Sequence, residues 1–250
     1  PLRAAQPGFL PRLPVLGRNQ VVVVEVDLDI PERLSRALLP ILDEADRARA
    51  ARFVFPDHRR RYLASHAALR LVLAHYLDEE PRLLKFERGT HGKTRLAGSW
   101  AADYEINLSH SADRALIAVA RSREVGIDIE VHRPDLDVYS LAQYVLSPAE
   151  RHAFAAFSTA DRRAAFFRAW TRKESFVKAT GEGLACPLHS FDVSLEEDVD
   201  SALLRCRHTP AAFERWTTIP LEVGRGAAAA LTVREPARLL ARVPSVWTFA

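Results

Sequence analysis

Apolar residues in this chain repeat in two rhythms, one suited to strands and one to helices. The run QVVVVEVDL at 20–28 is β-branched and nearly continuous, and it predicts a strand. From 31 to 50, Leu34, Leu38, Leu39, Leu42 and Ala45 recur at helical spacing and predict a helix. A second helix is predicted from about Asp57, just after Pro56, to Leu77, with Leu63, Ala67, Leu71 and Ala74 along one row. Residues 83–97 and 104–120 predict β structure with turns. The clearest pair is YEINLSHS and RALIAVAR, with a turn assigned to Ser109, His110, Ser111 and Asp113. VGIDIEV at 125–131 reads as a short strand. Residues 139–180 read as mostly helical: Ser147, Pro148 and Glu150 have the order of a capped helix start, and the segment TRKESFVKATGEG stops at Gly181. The tail, 190–250, predicts further strands at FDVSL, AAAALTVRE and VWTF, and residues 1–20 read as an irregular lead-in.

Each half thus holds strands and helices without regular strand–helix alternation, and no fixed-period repeat is present. An α+β fold is expected rather than a doubly wound one. The 250 residues are 48% hydrophobic and 27% charged, enough to bury a sizeable core. The formal charge of +3 favours anionic partners without choosing among them. Cys186 and Cys206 form no CxxC pair, so neither a zinc cluster nor a disulfide framework is expected. The proline-rich start has no continuous apolar segment of signal type, and Val21–Val24 is too short to span a bilayer. A soluble cytoplasmic protein without a membrane partner is the expectation.

Two carboxylates then stand out. In a strand, Asp128 and Glu130 share a face, with Cα atoms about 6.5–7 Å apart, while Ile127, Ile129 and Val131 take the other. Acids converging on one spot repel unless a cation sits between them. A hard divalent ion with oxygen ligands suits them, and two solvated acids on a half-exposed strand suit them as well. On the later helix, Phe166, Trp170, Glu174 and Lys178 form one row, so Glu174 extends an aromatic stripe. It pairs with Lys178 at the surface, or it supplies a third metal oxygen while Lys178 holds a phosphate.

The basic residues have the same two readings. His110 between two serines is a turn residue or part of a phosphate-binding loop. Lys93, after Gly92, is a solvated turn lysine or a phosphate contact. A Walker nucleotide loop is rejected because Glu87 stands where a glycine is required. Arg47, Arg49, Arg52 and Arg59–Arg61 form a solvated face or an anion-binding one. No nucleic-acid-binding signature accompanies them, and no nucleic-acid partner is expected.

Taken together, ARF…RRRYLASHAALR at 51–70, HGK at 91–93, INLSHS at 106–111, VGIDIE at 125–130 and WTRKESFVKATGEGL at 170–184 resemble the Sfp-type 4′-phosphopantetheinyl transferases. The last two segments are specific as a pair, with Asp128 and Glu174 46 residues apart. The resemblance implies two similar α+β halves, 1–124 and 125–250, related by a pseudo-twofold axis, with the active site in the cleft between them. It implies transfer of phosphopantetheine from coenzyme A to a serine of an acyl, peptidyl or aryl carrier protein, with Mg2+ as cofactor and adenosine 3′,5′-bisphosphate as product. Asp128, Glu130 and Glu174 inherit the metal. Arg49, Arg61, Lys93, Ser109, His110 and Lys178 inherit the coenzyme A contacts. Glu174, Lys178 and His110 are the catalytic candidates. Two departures are visible: Asp46 stands where some members carry a further basic residue, and Thr94 follows Lys93 where proline is usual. A glutamate that ligates a cation is also a weakened base, a tension within the resemblance. The chain length argues for the longer, monomeric class and against the short trimeric synthases. An acidic carrier would find the basic surface attractive. The alternative on the same fold is a non-catalytic module that binds carrier protein or coenzyme A.

Overall fold

The computed structural model describes residues 12–89, 91–197, 199, 203–206 and 215–244. The VWTF segment, expected as a strand, lies outside the described residues, as does the first part of the lead-in. In chain order the elements are β1 (Gln20–Asp27), α1 (Glu32–Ala37), α2 (Glu44–Ala51), α3 (Pro56–Leu77), β2 (Phe86–Arg88), β3 (Thr94–Leu96), β4 (Tyr104–Ser111), β5 (Arg114–Arg121), β6 (Val125–Val131), α4 (Val138–Val145), α5 (Pro148–Ala156), α6 (Thr159–Thr180), β7 (Phe191–Val193), β8 (Leu203–Cys206), β9 (Trp216–Leu221), β10 (Ala227–Arg234) and β11 (Arg238–Val243). The mixture is α+β, with antiparallel sheets. Among the described residues no helix is long and apolar enough to cross a membrane.

The contacts divide the chain into two units. The first takes the described residues up to Glu87, those from Arg95 to Ser122 and those from Leu239 onward. The second takes Arg88–Thr94 and Arg123–Arg238. In the first unit the sheet order is β11-β1-β5-β4. β1 lies inside this sheet, and Val21 to Val24 are all fully buried, which accounts for a continuous apolar run in place of alternation. α3 packs over the sheet through Leu63, Ala67, Leu71 and their neighbours. The single helix expected over 31–50 is two helices. Pro40, which has no N–H to donate, sits in a 3-10 turn between them, and the side chain of Asp43 restarts the chain by accepting from the Asp46 N–H. The turn assigned to Ser109–Asp113 is tighter than expected: Ser109, His110 and Ser111 are paired strand residues, opposite Leu116, Ala115 and Arg114, and Ala112 and Asp113 alone make the bend.

In the second unit the sheet order is β6-β10-β9, and α6 lies across it. The start of α5 is the predicted capping box: Ser147 Oγ accepts from the Glu150 N–H, and the Glu150 carboxylate accepts from the Ser147 N–H. α6 ends at Gly181, which adopts φ 75°. A glycine is also required at position 126. A Cβ there would stand 2.1 Å from the Ser175 carbonyl oxygen and 2.3 Å from the Ala179 nitrogen, so α6 rests its backbone directly on β6. Beside that contact a buried hydroxyl chain runs from Ser175 to Thr232 to Thr218, each step 2.8 Å. These interactions fix where α6 stands on the sheet.

Candidate active site

The strand–helix contact through Gly126 decides which side chains meet. Asp128 follows two residues later on β6, opposite Ala230 of β10, and Glu130 lies opposite Ala228. Ile127 and Ile129 are fully buried in the core, as strand alternation requires. Asp128 is buried too, with a side chain only 4% exposed. It therefore needs a partner within the protein. Lys178 supplies it from α6: its ammonium donates to Asp128 Oδ1 at 2.6 Å. Lys178 therefore reaches across to β6 instead of serving only as an i+4 neighbour of Glu174.

Glu174 shares the neighbourhood. Its carboxyl is pushed above the ordinary glutamate range, first by burial, then by the charge of Asp128, with Glu130 adding a smaller push and Lys178 opposing. Three carboxylates and one ammonium thus act on one another at the surface of β6 and α6. This donor set is hard oxygen, and crowded negative charge raises the proton affinity of an acid until a cation relieves it. By donor chemistry, oxygen ligands of this kind suit a magnesium-type ion. Among the described residues no group of three His, Cys, Asp or Glu side chains is placed to hold a metal ion in this structure.

The same helix carries a residue that sequence reasoning passed over. Lys173, next to Glu174, is fully buried. Its ammonium donates to the Leu188 and Phe191 carbonyls at 2.7 and 2.6 Å and pairs with Glu150 at 2.9 Å. Burial pulls its pKa down, and the Glu150 carboxylate opposes that pull. Glu150 also accepts from the Val193 N–H. One acid therefore caps α5, anchors β7 and neutralises the lysine behind Glu174. The signal for this was present in part: the glutamate of a capping box, if buried, demands a cation.

Lys93 belongs to the second unit as well. Its ammonium donates to the Val125 carbonyl at 3.1 Å and the Ala179 carbonyl at 3.2 Å. A cation near the last carbonyls of a helix is favourable. In this structure Lys93 ties its turn to the start of β6 and the end of α6.

The remaining predicted residues stand in the first unit. Arg49 is exposed on α2, its guanidinium 5.8 Å from the centre of the Tyr62 ring. Arg61 is half-buried on α3. Its Nε is enclosed and finds no hydrogen-bond acceptor among the described residues. Ser109 is buried and His110 exposed, as their alternation along β4 dictates. Around them lies a network the sequence did not announce. His66 stacks on Tyr62 with ring centres 3.9 Å apart, and its Nδ1 lies 3.2 Å from the Tyr62 carbonyl oxygen. Burial is the main reason the His66 pKa falls to about 4, and the neighbouring His110 and Arg49 add to the fall while Asp46 opposes it. Asp46, the departure from the expected basic residue, accepts from Tyr62 Oη at 3.2 Å and from buried Arg70 Nε at 2.6 Å. It holds Arg70 together with Asp43, also at 2.6 Å, and so replaces a surface charge with an internal strut.

Comparison with known proteins adds an independent result. A model of the 4′-phosphopantetheinyl transferase superfamily matches residues 124–232, and a model of the N-terminal part of 4′-phosphopantetheinyl transferases matches residues 31–122. The chain is 38% identical over 193 residues to the 4′-phosphopantetheinyl transferase HetI of Nostoc sp., a match covering 76% of this chain and 81% of that protein. It is 26% identical over 199 residues to the 4′-phosphopantetheinyl transferase Sfp of Bacillus subtilis, covering 79% and 86%. A crystal structure of the Thermotoga maritima holo-[acyl-carrier-protein] synthase shares 23% identity over 46% of this chain and 64% of that one, at a TM-score of 0.36, too partial a likeness to argue from. The chain belongs to the 4′-phosphopantetheinyl transferase superfamily.

Proposed function

We propose that Asp128, Glu130, Glu174 and Lys178 form the reaction centre of this transferase, with Arg49, Arg61, Lys93, Ser109 and His110 as its phosphate-binding residues. The chain transfers phosphopantetheine from coenzyme A to a carrier protein, the activity of its family. The observation that carries the assignment is the electrostatic coupling of Glu174 to Asp128 and Glu130, with Lys178 bonded to Asp128. Those three acids would hold a magnesium ion, which when bound neutralises charge on the diphosphate and polarises the phosphorus that is attacked.

The chain's own groups account for the rest. The carrier serine oxygen forms a bond to the phosphorus bearing the pantetheine arm. The bond from that phosphorus to the bridging oxygen of the diphosphate breaks, and adenosine 3′,5′-bisphosphate departs with that oxygen. The serine proton passes to Glu174. In the metal-free chain, burial and two neighbouring acids raise the proton affinity of its carboxyl, as suits a base. Lys178 offers an ammonium to the departing phosphate, and His110 adds a further donor. The enclosed Nε of Arg61 supports an anion ligand at that position, because a buried guanidinium donor is stabilised by an acceptor. The partner is a carrier protein presenting a serine. A net charge of +3 suits an acidic one, and a chain working as a monomer fits the reading.

Mass spectrometry of apo-carrier proteins, incubated with the chain, coenzyme A and magnesium, tests the reading. One phosphopantetheine should be added per carrier, and chelation of divalent ions should stop the addition. Binding of carrier or coenzyme A without any mass gain would instead identify a non-catalytic module, and undiminished transfer in chelator would remove the metal from the scheme.

A further inference from the structure

The lysine in the acidic cluster has a role of its own. Asp128 is almost wholly enclosed, and its Oδ1 takes a 2.6 Å charge-assisted bond from Lys178, whose side chain remains 30% exposed. Glu130 stands two residues along β6 from Asp128, and Glu174 lies one helical turn before Lys178 on α6. A buried carboxylate needs a cation, and Lys178 supplies one to Asp128. Five residues earlier on the same helix, Lys173 presents the opposite case. It is fully buried, and Glu150 and two carbonyls fix its ammonium in place. Lys178 is built differently: a partly solvated stem can swing its ammonium away from Asp128 without stranding a charge in the core.

We infer that Lys178 is the resident counter-ion of the acidic cluster and competes with a divalent cation for Asp128, so that arrival of the metal and release of the Lys178 ammonium are one event. This rests on the assignment of Asp128, Glu130 and Glu174 as metal ligands. The carboxylate oxygen that accepts from Lys178 is a weaker ligand while that bond lasts. Once displaced, the ammonium is free to meet a phosphate oxygen. Lys178 then neutralises Asp128 in the resting protein and is released when the metal binds.

The test is a Mn2+ titration of the full chain without coenzyme A, following free Mn2+ by electron paramagnetic resonance, with parallel thermal melting. Lys178→Met should bind Mn2+ about tenfold more tightly than the unaltered chain, a coupling of ordinary size for two cations sharing one ligand. The metal-free variant should melt lower, and Mn2+ should raise its melting temperature more than it raises that of the unaltered chain. Lys178→Gln, which keeps a polar end, should show the same order and decides the matter if Lys178→Met does not fold. Asp128→Asn should weaken Mn2+ binding and erase the gain from Lys178→Met. Equal or weaker Mn2+ binding by both Lys178 variants, with Asp128→Asn still damaging, would overturn the competition and leave the metal assignment standing. Unchanged Mn2+ binding by Asp128→Asn would overturn the assignment itself.

Discussion

Each unit lays a 22-residue helix, α3 or α6, over an antiparallel sheet and buries a cation within it, but the two spend their charges differently. In the first unit Arg70 is 1% exposed and is met by Asp43, Asp46 and the Pro81 and Leu84 carbonyls, so this charge has a structural answer. In the second unit Lys173 receives the same treatment from Glu150 and two carbonyls, and one residue later the balance is abandoned. Glu174 is pushed upward by burial and by the charges of Asp128 and Glu130, and Lys178 bonds to Asp128. A fold able to neutralise its buried charges in two places, yet leaving Glu174 pushed above its ordinary range in a third, marks the third as a candidate place where charge has work to do.

The comparison breaks most visibly at the balanced sites. Lys173→Met alone should lower stability by about 3–5 kcal/mol in chemical denaturation, because it leaves the Glu150 carboxylate buried and unpaired. Lys173→Met with Glu150→Leu should recover part of that loss. Gly126→Ala should cost about 1–3 kcal/mol or more by lifting α6 off β6, and it should abolish transfer, because Glu174 moves with the helix while Asp128 stays on the strand.

The histidine of the first unit sharpens the contrast through pH. His66 has a folded pKa of about 4 against an ordinary 6.5, so the unfolded chain binds the extra proton first. Stability should therefore fall as pH drops from about 6.5 towards 4, by up to about 3 kcal/mol from this group. A His66→Gln variant should be flatter over that window, as thermal melts across pH would show. The smallest effect is expected at Glu174, where the shift is upward. Its ionised form is disfavoured in the fold, so without metal Glu174→Gln should melt slightly higher than the unaltered chain at neutral pH. The difference should vanish once the pH falls below the ordinary glutamate range, where both states are protonated.

What the sequence made legible was local or periodic. The strand 125–131, the capping box at Ser147 and Glu150, the stop at Gly181 and the shared face of Asp128 and Glu130 all follow from spacing within a few residues. What it concealed depended on pairing at long range. The partner of Lys173 lies 23 residues back in the chain, that of Arg70 24 residues back, and the carbonyls that hold Lys93 belong to residues 32 and 86 positions away. The missed break in the 31–50 helix was local: five apolar residues at helical spacing outweighed Pro40, although a single missing N–H suffices to end a helix. Ser109, His110 and Ser111 looked like turn formers, but register with Leu116, Ala115 and Arg114 draws them into a strand. The three acids were readable as a face and a row. That Lys178 turns to Asp128 was not, because a helical wheel cannot show which neighbour a long side chain chooses.

The most direct measurement compares carrier modification by the unaltered chain with that by Asp128→Asn and Glu174→Gln, each first shown by circular dichroism and melting to be folded. The account predicts that the unaltered chain loads its carrier and that both folded variants leave it unmodified. Loading at an undiminished rate by either variant would contradict it.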